Sequence, residues 1–312
     1  MRAAFRLALV GAGRAGMVHA ANAAGWLVSA ELTCVVDADE AARQKAAAAL
    51  DVPAFPSLDS ALAGADFEGV VITTPTFTHA ELAVLAAGAG KHIFCEKPMA
   101  LTVEECDQMA SAASAAGVVF QMGFVRRFQP EFVAAKRRVE QGSIGRPMVV
   151  KSLTRGPGLP PVWAHDIRRS NGMLAEVNSH DFDCARWLAG SDIERVYAET
   201  ANFKGAERGV EAPDFYDNAV VTLRFESGAI GTIDGTCPAD YGYDARVEIL
   251  GTEGMIVVGD NRAIATLEVR ERGKGELPTW ASWAQRFEAG YREELRAFVE
   301  VARSGEPPAV GA

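Results

Sequence analysis

The chain has 312 residues, enough for two domains, because single hydrophobic cores stop growing near roughly 250 to 300 residues. It is 49% hydrophobic and 23% charged, with no run of about 20 apolar residues to span a bilayer, and its formal net charge of -10 excludes the broad basic surface that nucleic-acid binding needs. Five scattered cysteines (Cys34, Cys95, Cys106, Cys184, Cys237) without C-x-x-C spacing predict reduced thiols and a cytoplasmic protein, with neither a disulfide framework nor a zinc site.

The opening MRAAFRLALVGAG places Arg2 and Arg6 ahead of apolar residues, as a signal peptide would. Only Leu7 to Val10 are unbroken before the glycines, so that reading is rejected. Residues 1–122 then alternate β-rich runs (RLALV, ELTCVV, GVVITT, KHIFC, VVFQMGF) with helical stretches near 15–25, 40–50, 78–89 and 102–116. This rhythm predicts βαβ units and a doubly wound parallel sheet. From residue 123 to 312 the rhythm changes. A helix (EFVAAKRRVE) and a strand (PMVVKSLTR) lead through RGPGLPP to a helix near Ser179. Strands at hairpin spacing follow: DNAVVTLRF, AIGTIDGT, ARVEIL, MIVVG and, after a turn at 260–262, AIATLEVR. These predict a second, mixed α/β domain built on a large, mostly antiparallel open sheet. A final helical stretch over 283–304 stops at Gly305.

LALVGAGRAGMVHA places Gly11, Gly13 and Gly16 as G-x-G-x-x-G between a strand and a helix. Gly11 suits the tight turn, Gly13 a close approach of backbone to a pyrophosphate, and Gly16 close packing of helix on strand; Ala12, Arg14 and Ala15 complete the loop. The second strand ends at Asp37, an acid placed to accept hydrogen bonds from both ribose hydroxyls and to repel a 2′-phosphate, so NAD is favoured over NADP. A structural turn with a capping aspartate is the competing explanation, and methyltransferases share the pattern, so it does not by itself establish redox chemistry.

IFCEKPMALT ends a buried strand on Glu96, Lys97 and Pro98, at the carboxyl edge of the sheet where ligands bind. A lysine there can stabilise a developing alkoxide, and a cis Pro98 would fix the turn. A snorkelling Lys97 paired with Glu96 is the structural alternative. Thr74 and Pro75, after the preceding strand, are candidates to line the cofactor, as is His79, which also suits the start of the next helix. In MLAEVNSHDFDCARWLAG, Ser179 reads as an N-cap with Asp181 and Asp183 in the first turn. His180 is a candidate general base, and Glu176, four residues earlier, a carboxylate to orient it.

The stretches VGAGRAG, CEKPMALT, GFVRRFQP, the E-x-x-x-H-D-x-D-x-A-R-W-L helix start, YGYDARVEILGTEG and YREELRAFV together resemble the Gfo/Idh/MocA oxidoreductases over nearly the whole chain, and inositol 2-dehydrogenases most within them. The resemblance implies a Rossmann domain, NAD(P), a polyol or sugar substrate, and an open C-terminal sheet that packs in dimers or tetramers. It matches Lys97 to the motif lysine and His180 to the catalytic histidine. Glu176 stands where inositol dehydrogenases usually have aspartate, and the ending SGEPPAVGA departs from relatives that continue into another helix. The expectation is an NAD-dependent dehydrogenase acting on a secondary alcohol without a metal, with Arg126, Arg127, Arg155, His165, Asp166 and Asn178 as candidate contacts to polyol hydroxyls. Rival readings are a glycoside hydrolase or lyase that oxidises, eliminates and re-reduces, and a non-catalytic dinucleotide-binding regulator.

Overall fold

A computed structural model describes residues 3–259 and 279–312, with the backbone of 268–269 and 275–276. The chain forms two compact units, residues 1–128 with 289–312, and residues 129–288.

The first unit contains β1 (Phe5–Val10), α1 (Arg14–Gly25), β2 (Ala30–Val36), α2 (Glu40–Leu50), β3 (Ala54–Phe55), α3 (Leu58–Gly64) and β4 (Gly69–Ile72). It continues with α4 (His79–Gly88), β5 (His92–Glu96), α5 (Val103–Ala116) and β6 (Phe120–Gly123). The six strands lie in the order β3-β2-β1-β4-β5-β6, all parallel. The strand runs are continuously apolar because both faces of the sheet are covered. Leu7 and Leu9 enter one core with Ala20, Ala23 and Ala46, whereas Ala8 and Val10 enter the other with Ala83, Ala86 and Met109. Chain order reverses between β1 and β4, so the segments leaving these two strands flank the crevice where an open α/β sheet binds its ligand. α5 starts with a capping box: Thr102 Oγ1 accepts from the Glu105 N–H (3.1 Å) and Glu105 Oε2 from the Thr102 N–H (3.2 Å), which bounds the loop carrying Lys97.

The second unit contains α6 (Pro130–Glu140), β7 (Pro147–Arg155), α7 (Ile167–Ser170), α8 (Gly172–Glu176), α9 (Ser179–Ala189), β8 (Ile193–Ala201) and α10 (Lys204–Glu207). Then come β9 (Asn218–Phe225), β10 (Ile230–Thr236), β11 (Asp244–Gly251), β12 (Met255–Val258), a short antiparallel pair β13 (Glu268–Val269) and β14 (Gly275–Glu276), and α11 (Trp283–Arg286). The main sheet runs β12-β11-β7-β10-β9-β8 and is antiparallel except for the β7–β10 pair. Val150, Ala219, Val221, Leu223, Phe225, Ile233, Val247 and Ile249 form its buried face. Tyr197, Val220, Ile230, Leu250, Met255 and Val257 remain exposed. The expected turn at 260–262 and strand AIATLEVR lie outside the described residues, apart from 268–269.

The expected division at residues 122 and 123 needs correction. α12 (Glu288–Ser304) returns to the first unit, where Leu295, Phe298, Val299 and Ala302 cover the Leu7, Leu9 and Phe94 face of the parallel sheet. The final residues follow it: Val310 is buried there, and its carbonyl accepts from the Met122 N–H (2.9 Å). Among the described residues no helix is long and apolar enough to cross a membrane.

Candidate active site

Gly13 occupies the N-cap of α1, and no side chain caps the helix. The N–H groups of its first turn and its partial positive charge are therefore left for an anion. Gly11 has φ 101°, and a Cβ there would lie 2.8 Å from Thr73 C and Thr74 N in the segment leaving β4. At Gly16 a Cβ would lie 2.0 Å from the Gly11 carbonyl oxygen, so only glycine lets α1 pack this closely. Gly13 differs, because a Cβ there would meet no atom of the described residues within 4 Å. The fold does not demand glycine at that point, whereas a pyrophosphate brought against the backbone does. Ala12 and Ala15 are half-buried, and Arg14 is exposed at the first helical position. Asp37, just past β2, accepts from the Ala12 N–H through Oδ2 (2.7 Å) and from the Asp39 N–H through Oδ1 (2.9 Å), which holds its carboxylate against the loop. These residues fit a dinucleotide.

The segment after β4 is internally braced. The Thr78 hydroxyl lies 2.7 Å from the Thr74 hydroxyl and 2.8 Å from the Pro75 carbonyl. His79 is buried, with Nδ1 2.9 Å from the Pro98 carbonyl and Nε2 2.9 Å from the Thr74 carbonyl. Burial pushes its pKa below the ordinary imidazole range, against the pull of those carbonyls and of the Glu96 charge. His79 is packed between the loops after β4 and β5, where a neutral ring donates its single N–H to one of the two carbonyls, and this buried role takes the place of the expected cofactor contact.

Lys97 is half-buried just beyond β5, and the Lys97–Pro98 bond is cis. Glu96 is buried beneath it. Its Oε1 lies 2.8 Å from His19 Nε2, and its Oε2 accepts from the Lys97 main-chain N–H (3.2 Å). The expected cofactor contact by Glu96 is replaced by this inward role, since the carboxylate faces the interior. Glu294 of α12 completes a cluster, with Oε1 3.9 Å from His19 Nε2. It is fully buried, neither carboxyl oxygen has a hydrogen-bond partner among the described residues, and burial together with the Glu96 charge pushes its pKa well above the carboxylate range.

In the second unit His180 is the second residue of α9 and is buried; Glu176 closes α8 and is half-buried. Ser179 is not the N-cap. It is already helical, because the turn of α8 leads almost directly into α9 and places Asn178 at the junction. Asn178 is fully buried and donates through Nδ2 to Asp181 Oδ2 (2.8 Å), while the Ser152 hydroxyl donates to Asp181 Oδ1 (2.5 Å). At Gly235 a Cβ would sit 2.2 Å from Asn178 Oδ1, so the start of α9 is pinned to β7 and β10. Asn178 thus braces the start of the helix that carries His180. Arg155 pairs with Asp234, and strand alternation directs both away from the face bearing buried Thr154 and Ser152. The structure does not bring it to the side where α9 packs. Asp166 caps α7 and pairs with Arg168, which holds its carboxyl below the usual range. His165 Nε2 lies 3.0 Å from the Pro160 carbonyl, and its ring packs against Phe215. Arg126 is buried and Arg127 half-buried, both just after β6 in the first unit.

Residues 5–124 match the family described as "Oxidoreductase family, NAD-binding Rossmann fold", and residues 132–257 match the GFO/IDH/MocA C-terminal domain. The chain belongs to the Gfo/Idh/MocA oxidoreductases. Within this family it is 36% identical to myo-inositol 2-dehydrogenase of Thermotoga maritima, over 98% of this chain and 90% of that protein. It is 34% identical to scyllo-inositol 2-dehydrogenase (NAD(+)) of Bacillus subtilis, over 98% and 88% of the two chains. Among solved structures, scyllo-inositol dehydrogenase from Lactobacillus casei with bound NAD(H) and scyllo-inositol superposes with a TM-score of 0.90 at 26% identity, covering 99% of this chain and 92% of that one. The doubly wound first unit is the family's NAD-binding Rossmann domain.

His19 and Glu294 carry structural weight at these sites that the sequence did not assign, and Asp181, placed by the sequence in the first turn of its helix, also anchors that turn to β7. A signal for Glu294 was present: it falls in the stripe Tyr291, Glu294, Leu295, Phe298, the positions i, i+3, i+4 and i+7 of a buried helix face. An acid there is a misplaced charge unless it has an interior task.

Proposed function

We propose that this Gfo/Idh/MocA protein is an NAD-dependent dehydrogenase acting on a secondary alcohol of an inositol-like cyclitol or related sugar. The carrying observation is near-full-length likeness to inositol dehydrogenases from several bacteria, together with Lys97 and His180 at the motif positions that the resemblance marks. Gly11, Gly13, Gly16 and the first turn of α1 hold the pyrophosphate, and Asp37 accepts from the adenosine ribose. NAD, when bound, supplies the hydride acceptor. His180 removes the hydroxyl proton, the Lys97 ammonium steadies the oxygen that loses it, and Glu176 orients the imidazole. Glu176 is one methylene longer than aspartate, and it tunes which ring hydroxyls are accepted.

The five cysteines are all free thiols, which supports a cytoplasmic setting. The exposed apolar residues on the open sheet support assembly of copies of this chain through that face.

The test is turnover of inositols, aldoses and sugar acids at fixed NAD. Lys97→Ala and His180→Ala should each lower kcat by about 100-fold or more while NAD still binds. Near-normal activity in both variants refutes these roles. Release of nitrophenol from nitrophenyl glycosides without NADH accumulation points instead to the elimination chemistry.

A further inference from the structure

The buried group of His19, Glu96 and Glu294 lies directly under the Lys97 turn, and nothing in the proposed chemistry uses it. We infer that His19 and Glu294 are positioning residues, which clamp the Glu96 carboxylate and through it fix the backbone from which the Lys97 side chain departs. The inference rests on the reading of Lys97 as the group that steadies the reacting oxygen.

Three constraints meet on Glu96. Its Oε1 is held by His19 Nε2 at 2.8 Å, and its Oε2 by the Lys97 main-chain N–H at 3.2 Å. Its carboxyl also packs so tightly against β6 that a Cβ on Gly123 would lie 3.1 Å from both Cδ and Oε2. His19 is itself held, its ring packed edge-on against Phe94 (4.9 Å between centroids) and Tyr291 (5.5 Å). The charge distribution follows from this geometry. Glu294 lies fully buried beside the Glu96 carboxylate, and burial and then the Glu96 charge push its pKa well above the carboxylate range, which favours its neutral form. A neutral Glu294 leaves His19 free to direct its Nε2–H at Glu96 alone.

The chosen ligating atoms of the three residues lie within 4.8 Å of one another, a spacing that a metal ion could also use. A closed structural site takes about four ligands. Three side chains with a hydrogen-bonded pair among them fit a proton better.

The decisive variant is His19→Phe, which keeps a ring between Phe94 and Tyr291 and removes both nitrogens. Its kcat should fall by about 10- to 100-fold, the loss expected when a reacting group shifts by around an ångström, with the dissociation constant for NAD nearly unchanged. His19→Gln, whose amide N–H can stand in for Nε2–H, should recover most of the loss; His19→Asn is too short and should not. On a Lys97→Ala background His19→Phe should cost nothing further, because its effect passes through Lys97. If His19→Phe does not fold, the Gln and Asn pair carries the comparison. Wild-type kcat in His19→Phe or His19→Asn with only a lower Tm, or equal losses with and without Lys97, overturns the inference. So does one equivalent of a divalent metal in the purified protein. A normal Lys97→Ala enzyme removes the functional reading and this inference together, whereas an impaired Lys97→Ala beside a normal His19→Phe removes this inference alone.

Discussion

Replacing Glu294 by Gln should shift stability progressively in favour of the variant, relative to wild type, as pH rises. Glu294 is fully buried without a hydrogen-bond partner among the described residues, and its pKa in the fold stands well above its ordinary value of 4.5, first from burial and then from the Glu96 charge. A raised folded pKa means that the folded state holds a proton which the unfolded chain releases. The stability linked to this proton is complete below pH 4.5 and is lost as pH rises toward the folded pKa. The slope within that window is about 1.4 kcal/mol per pH unit. Glutamine has nearly the same shape and does not titrate, so the variant lacks this slope. Its amide introduces unsatisfied polar atoms that cost about 1–3 kcal/mol, but this offset is constant with pH. Urea unfolding of both proteins at pH 5, 6, 7 and 8 gives the difference in stability, in which titrating groups remote from the cluster cancel. The difference should move in favour of Glu294→Gln as pH rises above 5 and level off once the folded pKa is passed. A flat difference across this range would show that Glu294 is ionised in the fold, and would refute the assignment of charge in the cluster.

At the other end of the first unit, Asp37→Ser removes the carboxylate that faces the ribose and repels a 2′-phosphate. The ratio of kcat/KM for NAD to that for NADP should fall by at least about tenfold, and an unchanged ratio would separate Asp37 from cofactor choice. On the open sheet, Tyr197 and Val220 are 63% and 57% exposed. A Tyr197→Glu/Val220→Glu double variant should lower the particle mass by light scattering, and a wild-type protein that already runs as a monomer refutes assembly through this face.

Legibility of the fold in the sequence followed how local the determining physics was. Leu7–Val10, Val70–Ile72 and Ile93–Cys95 read as strands because each is buried on both sides, and the glycine loop read as a dinucleotide site because its requirements lie within a few residues. β8 escaped because it is an edge strand exposed along nearly its whole length, so IERVYAETA shows no alternation of apolar and polar residues. β3 has only two residues, too few for any period. The stripe of α12 announced a buried face but not which surface it would cover. At the site, Gly11, Gly13, Gly16, Asp37, Lys97 and His180 were proposed from neighbours in sequence. The bonds of Glu96 to His19, 77 residues away, and of Asp181 to Ser152, 29 residues away, arise only when sheets and helices pack. The inward turn of Glu96 and His79 is of the same kind, because a polar residue at a strand end faces ligand or interior according to partners that come from elsewhere in the chain.

The late return of α12 bears on how the protein is made. Until residues 289–312 leave the ribosome, the face bearing Leu7, Leu9 and Phe94 has no cover from that helix, and His19 and Glu96 lack their third member. At elongation rates of about 5–20 residues per second the first 128 residues wait roughly ten to thirty seconds for this segment, while the intervening unit emerges whole. Nascent chains interrupted before α12 should therefore be the species most dependent on chaperones.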